Sequence, residues 1–443
     1  MRTLFNRPRL ARFVAALGVA VLVLAGCGSD PATTAPSDTD VEAALAKGGK
    51  ITVWSWEPTL KSVVTDFEAK YSNVDVELVN AGTGDKQYSA LQNAITAGSG
   101  VPDVAHIEYY ALPQFALANS VADLRPYGAG GLDGTFTPGP WNGVHVGDAV
   151  YGLPMDSGPM ALFYNDEVFT KHNVAVPTTW AEYVDAARTL HAADPNVFIA
   201  NDTGDAGFTT SLIWQAGGRP YKVDGTTVTI DFSDAGSRKF ATTWQTLIDE
   251  KLLAPVSSWS DGWYKGLGDG TIATLTIGAW MPANLESGVA AGAGKWRVAP
   301  MPQWEAGSTV SAENGGSSLA VPAASQNKAL AYAFIRYATT GEGATSRALQ
   351  GAFPATVADL TSSAFVDKEF TYFGGQKVNQ VLAEAAQNVA TGWSYLPFQV
   401  YANSIFNDTV GQAYVSPTKL ADGLGAWEEA CRTYGSDQGF TIA

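Results

Sequence analysis

The 443-residue chain holds only two cysteines, Cys27 and Cys431, and four histidines, His106, His145, His172 and His191. Thiols and imidazoles this few and this scattered exclude a disulfide framework and a cysteine- or HExxH-based metal centre. Each histidine reads as a surface or core-edge residue. Basic residues are also scarce, with 27 Lys and Arg against 43 Asp and Glu and a formal charge of −16. That balance argues against nucleic acid and anionic lipid as partners. No internal repeat is visible. The "GAGKW" stretch (292–296) fails as a phosphate loop: Val289 stands where the first glycine is required, and no Ser or Thr follows Lys295.

What is present begins with Arg2, Arg7, Arg9 and Arg12, followed by an uncharged run over 13–25. The run is too short to span a bilayer, so residues 1–26 read as a secretory signal. Its end, "LAGC" (24–27), resembles the lipobox of bacterial lipoproteins. That implies lipidation of Cys27, with more than one acyl chain and stable anchoring at the extracytoplasmic face of the bacterial cell membrane. Cys431 is then left without a partner. Residues 27–49 follow as a tether whose "GSDPATTAPSDTD" segment is polar and proline-broken. Beyond it, a chain that is 46% hydrophobic and 11% aromatic folds, and is long enough to suggest two lobes.

"KITVWSWEPTL" (50–60) reads as a strand in which Trp54 and Trp56 share the face opposite Ile51 and Val53. Leu60, Val63, Val64, Phe67 and Tyr71 recur at helical spacing, and "VDVELV" is the next strand. Asp85 opens a helix striped by Tyr88, Leu91 and Ile95, stopped at Gly98; "PDVAHIEYY" is a strand ending at Glu108. Thr179 and Glu182 form a capping box, and Trp180 and Trp244 lie on helical stripes as core residues. Alternating strands and helices predict an α/β chain with mostly parallel sheets and ligands beyond the strands' carboxyl ends.

The order of landmarks resembles the extracellular solute-binding proteins of bacterial ABC sugar importers, the family that includes maltose-binding protein. The pieces are "ITVWSW", "FEAKYSNVDVELV", "LQNAITAGSGVPDV", "YGLPMDSGPMALFYNDEVF", "VPTTWAEYVDAA", "LIWQAGG", "TIGAW" and "NGGSSLAVPAASQNKALAYAFIRYATTGEG", then "GAFPA". They span nearly the whole mature chain. The resemblance implies a two-lobe flytrap with three chain crossings, near Pro154 and Met155, at 314–316 and at 351–354. Lobe one is then 50–154 plus 317–350, and lobe two 155–312 plus 351–443. It also implies a monomer that hands a di- or oligosaccharide to ABC permease subunits, without cofactor, metal or catalytic residue.

A sugar offers apolar C–H faces to indole rings and hydroxyls to carboxylates and amides. The resemblance puts Trp56, Glu57 and Glu108 on the rim of lobe one, and Asp156 and Gly315 at crossings. Asp205, Phe208, Trp280, Trp393 and Tyr395 are its lobe-two contacts. Other readings stand beside these. Trp54 can face either side of its sheet, Glu57 or Asp156 can cap a helix, and Trp393 can belong to the core. Two rival functions use the same residues: a hydrolase with two carboxylates among Glu57, Glu108 and Asp156, or the same fold binding a polyamine.

Overall fold

A computed structural model describes residues 38–443; the signal, Cys27 and most of the tether lie outside the described residues. The strands that position the site are β1 (Gly49–Trp54), β2 (Val74–Val79), β3 (Val104–Glu108), β4 (Leu153–Pro154), β5 (Met160–Asn165), β6 (Thr274–Gly278), β7 (Trp296–Ala299) and β8 (Ser317–Ala320). The first lobe is built on a five-stranded sheet in the order β2-β1-β3-β8-β4. Ile51 and Val53 are fully buried while Thr52 and Trp54, which alternate with them, are not, so one face of β1 feeds the core. Leu60, Val63 and Phe67 pack onto it from the helix Leu60–Lys70. The helix Asp85–Ala97 covers the sheet next and ends at Gly98, whose φ of +64 is the left-handed turn that glycine takes without strain.

The second lobe is organised by β5, which lies between β6 and β7. Alternation along β5 serves two cores at once. Met160 and Leu162 enter a cluster with Trp180 and Trp244, whereas Ala161 and Phe163 enter one with Trp263 and Trp296. The capping box of Thr179 and Glu182 is formed, and Trp180 and Trp244 are buried as their stripes predict. Cys431 is also buried in this lobe, and burial pushes its thiol up to about 12.

Two expectations are corrected. The tether does not run to Gly49: Asp38–Lys47 is helical, and Val41 and Leu45 are buried in the first lobe's core. Those two apolar residues at helical spacing follow the proline-broken segment and gain more by packing than by staying solvated. Nor are the sheets mostly parallel. β1 pairs in parallel with β2 and β3, but β8 is antiparallel to both its neighbours, and so is β5. The reason is insertion. β6, the helix Met281–Gly288 and β7 form a unit with parallel strands, but β5 lies between them in the opposite sense.

Between the lobes, 155–160 and 312–317 run side by side in opposite directions. Met155 N–H donates to the Ser317 carbonyl at 2.8 Å, Asn314 N–H to Gly158 at 2.8 Å and Met160 N–H to Ala312 at 2.9 Å. The strands are close enough that a Cβ on Gly158 would stand 2.3 Å from the Asn314 carbonyl oxygen. Ser157 N–H meets the Phe353 carbonyl of a third passage at 3.3 Å. Among the described residues no helix is long and apolar enough to cross a membrane.

Candidate ligand-binding site

Trp56, Glu108 and Trp280 all stand at or just beyond the carboxyl end of a strand, where open α/β sheets present ligand groups. In the first lobe Trp54 and Trp56 are both half-buried on the face opposite Ile51 and Val53, although the strand itself ends at Trp54. The Trp56 indole stacks on His106 with centroids 3.6 Å apart at 17°, and Tyr88 meets it edge-on at 6.2 Å. Burial holds His106 well below its ordinary pKa, so the ring under Trp56 is a neutral imidazole. Its Nδ1 pairs with Ser55 Oγ at 2.9 Å. Glu108 accepts from Tyr88 OH at 2.8 Å; burial raises its pKa, and hydrogen bonds from Tyr88 and Tyr110 oppose that rise.

Glu57 and Asp156 do other work. Glu57 Oε1 accepts from the Thr59 amide at 3.0 Å and its hydroxyl at 2.8 Å, tying down the turn that opens the helix Leu60–Lys70. Asp156 Oδ1 accepts from Ser317 N–H at 2.6 Å and Oγ at 2.8 Å, which pins two crossing segments together. Arg347, almost fully buried, donates to the Met155 carbonyl and, at 3.1 Å, to Thr59 Oγ1. Burial pushes the Asp156 carboxyl up to about 6 against the pull of that guanidinium. Glu313 faces the same crossing, accepting from Gly158 N–H at 2.5 Å and Ser157 Oγ at 2.9 Å. Its burial takes it to about 7.

The second lobe carries a cavity of about 220 Å³ lined by Asp202, Asp205, Phe208, Trp259, Trp263, Trp280 and Asn314. Trp280 Nε1 donates to the Asn314 carbonyl at 2.8 Å, which fixes the indole by its edge. Gly315, with φ +91, makes this approach feasible: a Cβ there would lie 3.0 Å from Trp280 Nε1. Gly315 therefore positions Trp280 through its lack of a side chain. Asp205 caps the helix Ala206–Gln215, one carboxylate oxygen accepting from Phe208 N–H at 2.6 Å. Asp202 is committed to Trp244, Tyr414 and the Gly204 amide. This combination of indole faces and carboxylates suits a neutral polyol with apolar ring faces.

Trp393 and Tyr395 lie elsewhere. Trp393 is 3% exposed and stacked on Trp214 at 5.1 Å and 5°, in the core of the second lobe. With Tyr395 it lines a separate cavity of about 380 Å³ shared with Tyr109, Asn142, His145 and Glu313. The structure thus joins Asp205, Phe208 and Trp280 in one cavity, while Trp56 is stacked on His106 and Glu108 is paired with Tyr88 in the first lobe. Trp393 and Tyr395 share the other cavity. Sequence reasoning missed Trp259, Trp263, Asn314, Glu313 and Arg347. "WSDGW" (259–263), an indole on either side of a capping serine, with the second in the first turn of the helix, was a usable signal for the first two.

The model of the family described as bacterial extracellular solute-binding protein matches residues 54–345. The chain is similar to the lactose-binding protein of Rhizobium radiobacter, 25% identical over 362 residues, covering 76% of this chain and 82% of that one. Among solved structures it is similar to the ABC transporter associated binding protein from B. animalis subsp. lactis Bl-04 in complex with β-1,6-galactobiose. There the identity is 46%, the coverage 89% of this chain and 99% of the other, and the TM-score 0.79. A second is the galacto-N-biose-/lacto-N-biose I-binding protein of the ABC transporter from Bifidobacterium longum, in complex with lacto-N-biose. It is 25% identical, with coverage of 90% and 99% and a TM-score of 0.77.

Proposed function

The chain belongs to the family of bacterial extracellular solute-binding proteins, and we propose that it captures a galactose-containing di- or oligosaccharide for an ABC importer. The observation that carries this reading is the cavity lined by both an edge-fixed Trp280 and Asp205. Galactose enters because β-1,6-galactobiose, lacto-N-biose and lactose, the sugars in the three relatives' names, each contain it. Trp56 and Glu108 close on the ligand from the first lobe; Asp205 and Trp280 hold it from the second. Lobe one comprises 50–154 with 317–350, joined by the helix Asp38–Lys47, and lobe two 155–312 with 351–443. The division is supported by which residues share each core, Met155 at the crossing being the one that packs with lobe one. The protein acts as a monomer without catalysis, and permease subunits take the sugar from it. Cys27 carries the lipid that holds it at the membrane, a reading supported by the "LAGC" boundary.

The test is a thermal-shift screen with β-1,6-galactobiose, lactose, maltose and spermidine, followed by calorimetry on the hits. A ligand at 100 times its Kd adds about 2.7 kcal/mol of stability. Stabilisation by the galactosides without turnover supports the reading. A shift with spermidine alone, or release of monosaccharide, sinks it. Mass spectrometry of the membrane-extracted protein is expected to show a diacylglycerol-modified Cys27 as the first residue; any other mature start overturns the anchor.

A further inference from the structure

Trp259 is 49% exposed, an unusual position for an indole, and its backbone has φ +66. Left-handed backbone is unfavourable for a bulky residue and is retained where something holds it. Among the described residues the other non-glycine residues with positive φ are Asn119, Asn173 and Lys251. Each follows the end of a helix, at Leu117, Lys171 and Asp249 respectively, where a left-handed residue is ordinary. Trp259 instead precedes a helix, Asp261–Asp269, whose N-cap is Ser260. No helix end accounts for it.

The conformation aims the side chain into the cavity. Trp259 lies over Trp280 with centroids 5.7 Å apart at 29°, and against Trp263 at 4.9 Å. Its two neighbours are anchored: Trp280 Nε1 to the Asn314 carbonyl, and Trp263 Nε1 to Asn201 Oδ1 at 2.7 Å. Among the described residues the Trp259 indole nitrogen makes no hydrogen bond. It is the movable member of the three.

We propose that Trp259 is a specificity-determining flap that withdraws from Trp280 to admit a terminal hexose ring between the two indoles and so limits ligand length. A ring stacked on both faces needs two contacts of about 3.5–4.0 Å, so the indoles must separate to about 7–8 Å. From the present spacing that is a movement of roughly 2 Å, within reach of one exposed side chain. The cavity, about 220 Å³, is smaller than the ~300 Å³ at which pockets for drug-sized ligands begin, so it suits one ring rather than two. Free protein keeps the apolar slot closed by stacking the indoles on one another. Bound protein keeps the ring capped, and a further residue attached there would collide with Trp259.

The inference rests on Trp280 being part of the sugar site, and the test separates the two. Calorimetry compares β-1,6-galactobiose with β-1,6-galactotriose on the wild type, Trp259→Gly and Trp280→Ala. Glycine removes the indole and the backbone strain together, so the variant is expected to melt no lower than the wild type. Its galactobiose affinity is expected to fall roughly thirtyfold, as for a truncated hot-spot indole, while galactotriose loses much less. Equal losses on both sugars, or none on either, overturn the flap. If Trp280→Ala also binds normally, the site itself has been misplaced; if it loses binding while Trp259→Gly does not, only the flap is wrong.

Discussion

Two tryptophans proposed from the sequence as sugar contacts, Trp280 and Trp393, have opposite parts in the structure, and substitution separates them. Trp280 is half-exposed and held by its edge, so its ring face is the group on offer. Trp280→Ala is expected to cost about 2–4 kcal/mol in sugar binding with little change in melting temperature, read by calorimetry and a thermal melt. Trp393 lies flat on Trp214 inside the second lobe's core. Trp393→Ala is expected to cost about 3–5 kcal/mol of folding stability in a urea titration, as core indole truncations do. A Trp393→Ala chain that unfolds normally but has lost its sugar would reverse these assignments. "TIGAW" was placed by its resemblance to the family's motif, whereas "TGWSYLPF" has no periodicity from which burial can be read. Arg347 shows the same limit. One arginine on an amphipathic helix gives no sign that the fold will bury it against the passages that carry Thr59 and Met155.

At the scale of elements, strands and helices were legible because they follow apolar period. Strand direction was not, because it depends on where the chain returns from the other lobe. Nothing in the composition of β5 or β8 says that either enters its sheet in the opposite sense. The crossings were legible as glycine and proline but their carboxylates were not, since burial of Asp156 and Glu313 arises only when the passages pair. That pairing has a pH signature. Glu313 is pushed by burial to about 7 in the folded chain, above its ordinary 4.5, with the Asp156 charge adding to the rise. The folded state therefore holds more protons than the unfolded one between those values, and stability falls as pH rises through them. Asp156 and Asp202, both at about 6, act in the same direction over a lower window. Glu313→Gln keeps an acceptor for the Gly158 amide and removes the titration. Its unfolding free energy is expected to fall less than the wild type's between pH 5 and pH 8 in urea titrations; parallel pH slopes would remove Glu313 from this role.

For the whole molecule, the relevant fact is how the two sets of candidate groups are distributed. Trp56 and Glu108 belong to the first sheet, and Asp205 and Trp280 to elements of the second lobe. A sugar that engages both sets makes its full complement of contacts only when the lobes approach, and that difference in affinity is what shifts an open–closed equilibrium. The lobes are joined by short passages containing Gly158, Gly315 and Gly316, the last two at φ +91, while each lobe keeps its own core, an arrangement in which those passages would absorb a change of angle. Closure is therefore expected as a rigid-body movement. Saturating β-1,6-galactobiose should lower the radius of gyration in solution scattering while the far-ultraviolet circular dichroism stays constant. Trp280→Ala, at a sugar concentration that saturates the wild type, should leave the scattering profile unchanged. If the wild type binds the sugar by calorimetry and its profile does not contract, the ligand is held by one lobe alone, and Trp56 and Glu108 have no part in holding it.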